Sequence, residues 1–132
     1  MKEGKFLLDY TIENILQKIS KDNLFIIGQP VIWNTRLDIF AIRELNLKNS
    51  LDIYNSANIN ESIFASEQKL KEKLSYLNIN SFSLIDFFCK DKKCLLYQIE
   101  NDKYFFTSGD FIHISDFFSK KIGLELLNRL VE

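Results

Sequence analysis

The sequence lacks the features that define several large functional classes. Seventeen Lys and Arg residues stand against eighteen Asp and Glu residues, which leaves a net charge of −1. Because proteins that bind a phosphate backbone usually carry a positive field, we expect no nucleic-acid partner. No apolar run approaches the roughly 18 residues that a membrane span requires, and the amino terminus lacks the basic-then-apolar pattern of a signal peptide. We therefore expect no membrane span in this chain.

The chain is also poor in residues that build metal sites and linkers. It contains two Cys, one His, one Pro and four Gly residues. Two Cys cannot form a four-Cys zinc site or a disulfide framework, and we expect neither a metal ion nor a cofactor. With 132 residues, no internal repeat and no Gly/Ser linker, the sequence predicts a single domain spanning residues 1–132.

The first part of the chain has the pattern of a helix followed by a buried strand. Helical spacing relates four apolar residues: Ile12, Ile15, Leu16 and Ile19. The apolar run Leu24 to Ile27 follows, and such a run is typical of a central parallel strand with helices on both faces. It ends before Pro30, which lacks the N–H that a continuing strand needs. These patterns predict an α/β fold.

The remaining elements are predicted from periodicity and turn residues. We expect a helix from Leu37 to Leu47, a polar connection over residues 49–60, and a strand from Phe82 to Phe88. Asn60 is predicted to cap a helix with Glu67 on its solvated side. Further along, the sequence predicts a hairpin, with strands Leu95–Ile99 and Tyr104–Thr107, and a closing helix capped by Ser115.

The single His of the chain, His113, lies between the hairpin and the closing helix. A loop that leaves a sheet and enters a helix often carries catalytic groups in α/β folds. Asp110 stands three residues earlier, so a turn can bring its carboxylate to the imidazole and leave the other ring nitrogen free to deprotonate a Ser hydroxyl. The alternative is an ordinary turn with a surface His, because Asp-x-x-His is a short pattern with many accidental matches.

The segment Asp110-x-x-His113-Ile-Ser115, followed by an amphipathic helix, resembles the last sequence block of the SGNH (GDSL-like) hydrolase superfamily. It is most similar to the carboxy-terminal SGNH domain of bacterial polysaccharide O-acyltransferases (acyltransferase family 3). The same domains carry a Cys-x4-Cys pair, a hairpin and an aromatic residue in the order found here at Cys89, Cys94 and Tyr104. The likeness extends from roughly residue 6 to residue 130.

The resemblance implies a three-layer SGNH/flavodoxin-like parallel sheet flanked by helices, with a carboxy-terminal hairpin and closing helix. It implies that His113 is the general base, that Asp110 orients it, and that Gly109 and Ser115 lie beside them. The family's nucleophile block, Gly-Asp-Ser, has no counterpart, because Gly109-Asp110 is followed by Phe111. The chain therefore resembles the second half of such a domain, with an incomplete sheet.

The function implied is a part of an O-acyltransferase or esterase that acts on acyl (acetyl) esters of surface carbohydrate, with the nucleophile outside this chain. The alternative is a non-catalytic interaction or structural domain derived from the same fold. A missing nucleophile favours the alternative, and an intact Asp110-x-x-His113 favours the enzyme part.

Cys89 and Cys94 allow two interpretations. In a reducing compartment they are two thiols or half of a metal site. In an oxidising compartment they can close a short loop, which contributes roughly 2 kcal/mol. The absence of a signal peptide favours the thiols, whereas the resemblance implies a periplasmic domain and favours the disulfide.

The incomplete sheet implies an exposed edge, which proteins rarely leave unpaired. We therefore expect self-association or a partner chain along Leu24 to Ile27.

Overall fold

The computed structural model describes residues 7–131. The helices in this part of the chain are α1 (Leu7–Leu16), α2 (Leu37–Lys48), α3 (Ser62–Leu77), α4 (Leu84–Phe88) and α5 (Asp116–Leu130). The strands are β1 (Phe25–Ile27), β2 (Tyr54–Asn55), β3 (Asn80–Phe82), β4 (Cys89–Lys90), β5 (Lys93–Leu95), β6 (Tyr97–Glu100) and β7 (Lys103–Phe106). None of these helices combines the length and apolar composition that crossing a bilayer requires.

The central feature is a parallel pair of strands, β1 and β3, in which Phe25 lies opposite Asn80. The chain between them runs through α2 and α3, so the unit is a parallel crossover that needs helices to cover its faces. One cluster packs Ile12 of α1 and Leu74 of α3 beside this pair, and the main core packs Phe82 with Phe118 of α5. The predicted α/β class is confirmed.

Two antiparallel sheets complete the described fold, and one of them includes β2 from within the crossover. β5 pairs with both β2 and β4, and β6 pairs with β7. The β6–β7 hairpin agrees with the predicted one, and its turn residues Asn101 and Asp102 have positive φ values of 50° and 59°. Asn and Asp tolerate this left-handed conformation better than most residues, and these residue types therefore predict the turn from the sequence.

The predicted strand from Phe82 to Phe88 is wrong. β3 ends at Phe82, and α4 begins after Ser83, whose hydroxyl oxygen accepts a hydrogen bond of 3.0 Å from the Asp86 N–H. Leu84 and Phe88, one helical turn apart, are both buried. A short apolar run has the same composition in a buried strand and in a buried helix, so periodicity could not separate them.

The connection over residues 49–60 is more ordered than predicted. It contains β2, and Ile59 forms an isolated antiparallel bridge with Trp33. The buried Asn58 side chain accepts a hydrogen bond from the Thr35 N–H and donates one to the Thr35 carbonyl, both 2.8 Å long. A buried amide satisfied on both sides explains how a polar segment packs against the core.

The limits of two predicted helices shift by a few residues. α1 ends at Leu16, and Ile19 lies beyond it with 45% of its surface exposed. α3 begins at Ser62 rather than directly after Asn60. The Asn60 side chain nevertheless accepts hydrogen bonds from the Ser62 N–H and hydroxyl, so it serves the helix start from one position earlier.

Glu67 of α3 is buried, whereas the sequence predicted a solvated position. Its Oε1 atom accepts a hydrogen bond of 2.5 Å from the Ser83 hydroxyl, and its Oε2 atom has no partner among the described residues. Gly28 makes room for it, because a Cβ atom at that position would lie 3.2 Å from both carboxylate oxygens. The helix pattern alone could not show either neighbour.

Cys89 and Cys94 lie opposite each other in the β4–β5 hairpin and are joined by a disulfide. The turn residues Asp91 and Lys92 have positive φ values, as in the β6–β7 hairpin. Cys94 is fully buried in the main core, so the disulfide joins the two hairpin strands at a position that packs against the core.

We expect the double variant Cys89→Ala/Cys94→Ala to lose about 2 kcal/mol of unfolding free energy, because the unfolded chain gains the freedom that the closed loop denied it. Urea unfolding with and without reductant measures this loss. Reductant should lower the stability of the wild type by a similar amount and leave the variant unchanged. A wild type that is indifferent to reductant would contradict the stabilising role of the disulfide.

Candidate active site

The loop between β7 and α5 is closed at its base by short-range contacts. Ser108 and Ile114 form an antiparallel bridge, and the Ser115 N–H donates to the Thr107 carbonyl at 3.0 Å. The Ser115 hydroxyl donates to the Phe106 carbonyl at 2.6 Å and its oxygen accepts from the Phe118 N–H at 3.5 Å. Ser115 therefore caps α5 and joins the helix to the end of the hairpin, which fixes both ends of the loop.

A second segment, the chain that enters α2, holds the same loop from the side. The Trp33 N–H donates to the Phe111 carbonyl at 2.9 Å, and the Leu37 N–H donates to the Asp110 carbonyl at 3.4 Å. Trp33 and Leu37 are themselves buried in the main core. The backbone of the loop is thus attached to rigid elements, although the loop itself lies at the surface.

The structure brings Asp110 and His113 into direct contact. His113 Nδ1 lies 2.5 Å from Asp110 Oδ2, and Asp110 Oδ1 accepts hydrogen bonds from the backbone N–H groups of Ile112 and His113 at 2.9 and 2.8 Å. The imidazole bond, followed by the two backbone bonds, lowers the pKa of Asp110 well below its ordinary range. The carboxylate therefore stays ionised around neutral pH.

This geometry can orient a base. With Nδ1 directed at a carboxylate, the imidazole keeps Nε2 free to accept a proton, and the carboxylate stabilises the imidazolium that results. The His113 side chain is 81% exposed. The Ser108 hydroxyl donates to Asp110 Oδ1 at 3.5 Å, whereas the imidazole contacts Oδ2, so the two side chains meet different oxygens of the carboxylate. The site therefore presents an oriented imidazole to the surface.

The other residues that the sequence analysis singled out lie in two different parts of the structure. Gly109 is exposed next to Asp110, and open space surrounds the position where a Cβ would stand. The Cys89–Cys94 disulfide belongs to the β4–β5 hairpin rather than to this loop. Among residues 7–131, no three His, Cys, Asp or Glu side chains gather in a way that could hold a metal ion.

The sequence did not reveal a cavity of about 560 Å³ that adjoins the loop. We call it the hairpin cavity; the side chains and backbone that line it belong to Asp38, Tyr104, Phe105, Phe106, Ser108, Gly109, Ser115, Asp116, Phe117 and Lys120. Apart from Asp38, its lining residues lie just before and just after the Asp110–His113 segment in the sequence. The pairs of aromatic residues in this region are the one signal in the sequence, and core packing is the favoured interpretation of such pairs.

We expect His113→Ala to raise the pKa of Asp110 towards the ordinary aspartate value of about 3.9, because the largest stabilising contact of the carboxylate is lost. The two backbone N–H donors remain, so the pKa should stay below that value. The chemical shift of the carboxyl carbon followed against pH by NMR gives both midpoints, and the distant variant Tyr76→Ala is the control.

The lowered pKa of Asp110 determines how this carboxyl group changes the folding stability with pH. A carboxyl group with a lowered folded pKa stabilises the folded chain above about pH 4, and the contribution is lost as pH falls through the folded pKa. Identical Asp110 midpoints in the wild type and in His113→Ala would contradict the contact between the two side chains.

Comparison with known proteins supplies one structural likeness. No family model and no curated protein matches the sequence. Among solved structures, the chain is similar to the periplasmic domain of a lipopolysaccharide acetyltransferase from Salmonella ser. Paratyphi A, with a TM-score of 0.71 and 25% sequence identity. The alignment covers 91% of this chain and 48% of that one. The chain thus spans about half the length of the acetyltransferase domain whose α/β fold it resembles.

Proposed function

We propose that this chain supplies the His–Asp half of a Ser-His-Asp triad in an SGNH-type O-acyltransferase or esterase. The substrate would be an acyl ester, in particular an acetyl ester, of surface carbohydrate. The observation that carries the proposal is the bond between Asp110 and His113, which leaves Nε2 exposed. The likeness to a lipopolysaccharide acetyltransferase domain supports the choice of acyl chemistry and of a carbohydrate substrate.

In this mechanism His113 acts as general base towards a Ser hydroxyl from outside residues 7–131. Nε2 takes the hydroxyl proton as the Ser oxygen attacks the ester carbonyl, and the Asp110 carboxylate stabilises the imidazolium. The imidazolium then returns the proton to the departing alcohol, which leaves an acyl-Ser intermediate. Water or a carbohydrate hydroxyl, deprotonated in turn by Nε2, attacks this intermediate and regenerates the Ser. Donors for the oxyanion would come from the same source as the nucleophile.

The compartment that suits this proposal is the periplasm. A disulfide persists in an oxidising environment, and Cys89 and Cys94 form one. The similar Salmonella domain is itself periplasmic.

A nucleophile from outside this chain would come from another polypeptide or from a longer precursor, and the sheet offers a place where such a segment can pair. β1 pairs with β3, and within the described residues no strand pairs with its other edge. Ile27 at the end of β1 is 50% exposed. On the outer side of α5, Leu124, Leu127 and Leu130 repeat at helical spacing and are each at least 60% exposed. We propose that a partner chain or a second copy pairs along Leu24 to Ile27.

The second candidate is a non-catalytic interaction or structural domain of the same fold. The observation that favours it is the absence of a Gly-Asp-Ser block from the sequence. The two candidates differ in one respect that can be measured, because the interaction domain needs no intact base.

For catalysis, we expect ester hydrolysis to depend on His113 in the protein isolated from its native cells together with the chains that bind it. p-Nitrophenyl acetate is a suitable probe. His113→Ala and Asp110→Asn should each lower kcat by about 10⁴-fold, as the loss of a triad member generally does. The matched control is Asp102→Asn, which changes a carboxylate in the exposed turn of the β6–β7 hairpin.

Turnover that survives His113→Ala would show that the base has been assigned wrongly. A stable complex without turnover in the wild type would favour the interaction domain.

For assembly, we expect the chain to form a dimer or a complex through the edge of β1. Ile27→Lys places a charge at this edge, where it opposes strand pairing, and should shift the assembly towards monomer. Analytical ultracentrifugation of both variants measures the change, with Tyr76→Lys on α3 as the control. A wild-type chain that is monomeric and binds no partner at any accessible concentration would contradict the proposal.

A further inference from the structure

The hairpin cavity has a mixed lining that calls for a particular kind of ligand. Its aromatic part consists of Tyr104, Phe105, Phe106 and Phe117. Its charged lining residues are Asp38, Asp116 and Lys120. A volume of about 560 Å³ lies within the range of small-molecule sites. An acetyl group, with its few atoms, would leave most of this space empty.

The cavity is connected to the candidate active site through two backbone segments. Ser108 and Gly109 line it directly before Asp110, and Ser115 lines it two residues after His113. Asp38 stands next to Leu37, whose N–H bonds the Asp110 carbonyl. A molecule in the cavity would therefore lie against the backbone of the loop that carries the base.

The hydrogen bonds that Asp38 already accepts indicate which kind of ligand it can still bind. Oδ1 accepts from Arg36 Nε at 3.2 Å and from the Ile39 N–H at 2.8 Å, whereas Oδ2 accepts from Arg36 Nη2 at 2.9 Å. A carboxylate oxygen has two acceptor positions, so Oδ2 keeps one for a further donor. A hydroxyl-bearing ligand can supply that donor. An aliphatic acyl chain cannot, and it would displace water from the charged rim without compensation.

We propose that the hairpin cavity binds a sugar ring of the carbohydrate acceptor, a role that rests on the proposed function of the chain. A pyranose ring combines an apolar C–H face, which packs on aromatic side chains, with hydroxyl groups, which donate to carboxylates. In the cavity the C–H face contacts the aromatic part and the hydroxyls reach Asp38 and Asp116. The hydroxyl to be acylated extends over Gly109 towards His113.

Binding can be tested directly with this chain, without turnover. The probe is methyl α-D-mannopyranoside, a neutral hexose, titrated into the ¹⁵N-labelled protein. We expect the backbone amide signals of Tyr104, Phe105, Gly109 and Asp116 to shift in a saturable manner. Asp38→Ala should weaken the Kd about tenfold, since a hydrogen bond to a charged acceptor is lost. Tyr104→Ala should weaken it about fivefold through the loss of aromatic contact.

Two control variants match these changes outside the cavity: Tyr76→Ala for the exposed tyrosine and Asp22→Ala for the exposed carboxylate. Both should keep the wild-type Kd within twofold. The amide spectrum of each variant also shows whether it is folded, and Asp38→Ala remains informative if Tyr104→Ala unfolds.

Absence of saturable shifts at these amides, or an unchanged Kd in Asp38→Ala, would overturn the sugar site. Shifts caused by methyl hexanoate but not by the hexoside would overturn it as well and identify an acyl pocket. Because binding is measured apart from turnover, a chain that lacks sugar binding but needs His113 for ester hydrolysis would refute this inference alone. Sugar binding together with turnover that ignores His113 would refute the proposed base alone.

Discussion

The Asp110 carboxylate is the group on which the candidate site depends. Within one short loop it accepts hydrogen bonds from two backbone N–H groups, from the imidazole and, at 3.5 Å, from the Ser108 hydroxyl. The backbone bonds fix the turn, and the turn places the carboxylate where the ring of His113 can meet it. Loop conformation and imidazole orientation therefore have one cause. Without the carboxylate, the ring of an exposed His would be free to rotate.

The surrounding fold serves to keep this loop in place. Ser115 fastens its far end to the hairpin and to α5, while Trp33 and Leu37 hold its backbone from the start of α2. These anchors lie in or beside the main core, so core packing and site geometry are coupled. The arrangement explains how the exposed imidazole of His113 can be held in one orientation.

Local patterns predicted the elements whose formation depends on near neighbours. Ser115 marked the start of α5, and the residues between β6 and β7 marked their turn, because caps and tight turns are made by residues close in sequence. The contact between Asp110 and His113 could be predicted for the same reason, because the two residues are three positions apart.

Elements that depend on distant neighbours could not be predicted in this way. The sequence predicts a strand where α4 forms, since a short apolar run does not reveal which partner buries it. The burial of Glu67 requires Ser83, which follows the end of β3, and Gly28, which follows the end of β1. The bonds from Trp33 and Leu37 to the loop are also long-range, so the anchoring of the site became visible with the fold.

The orientation of the imidazole is the central claim, and its tautomer tests it most directly. A long-range ¹H–¹⁵N NMR spectrum of the single His, recorded above neutral pH, distinguishes the two ring nitrogens. The account predicts a neutral ring with its proton on Nδ1, held by Asp110, and an unprotonated Nε2. A ring that carries its proton mainly on Nε2 would contradict the account, because that nitrogen could not then act as the base.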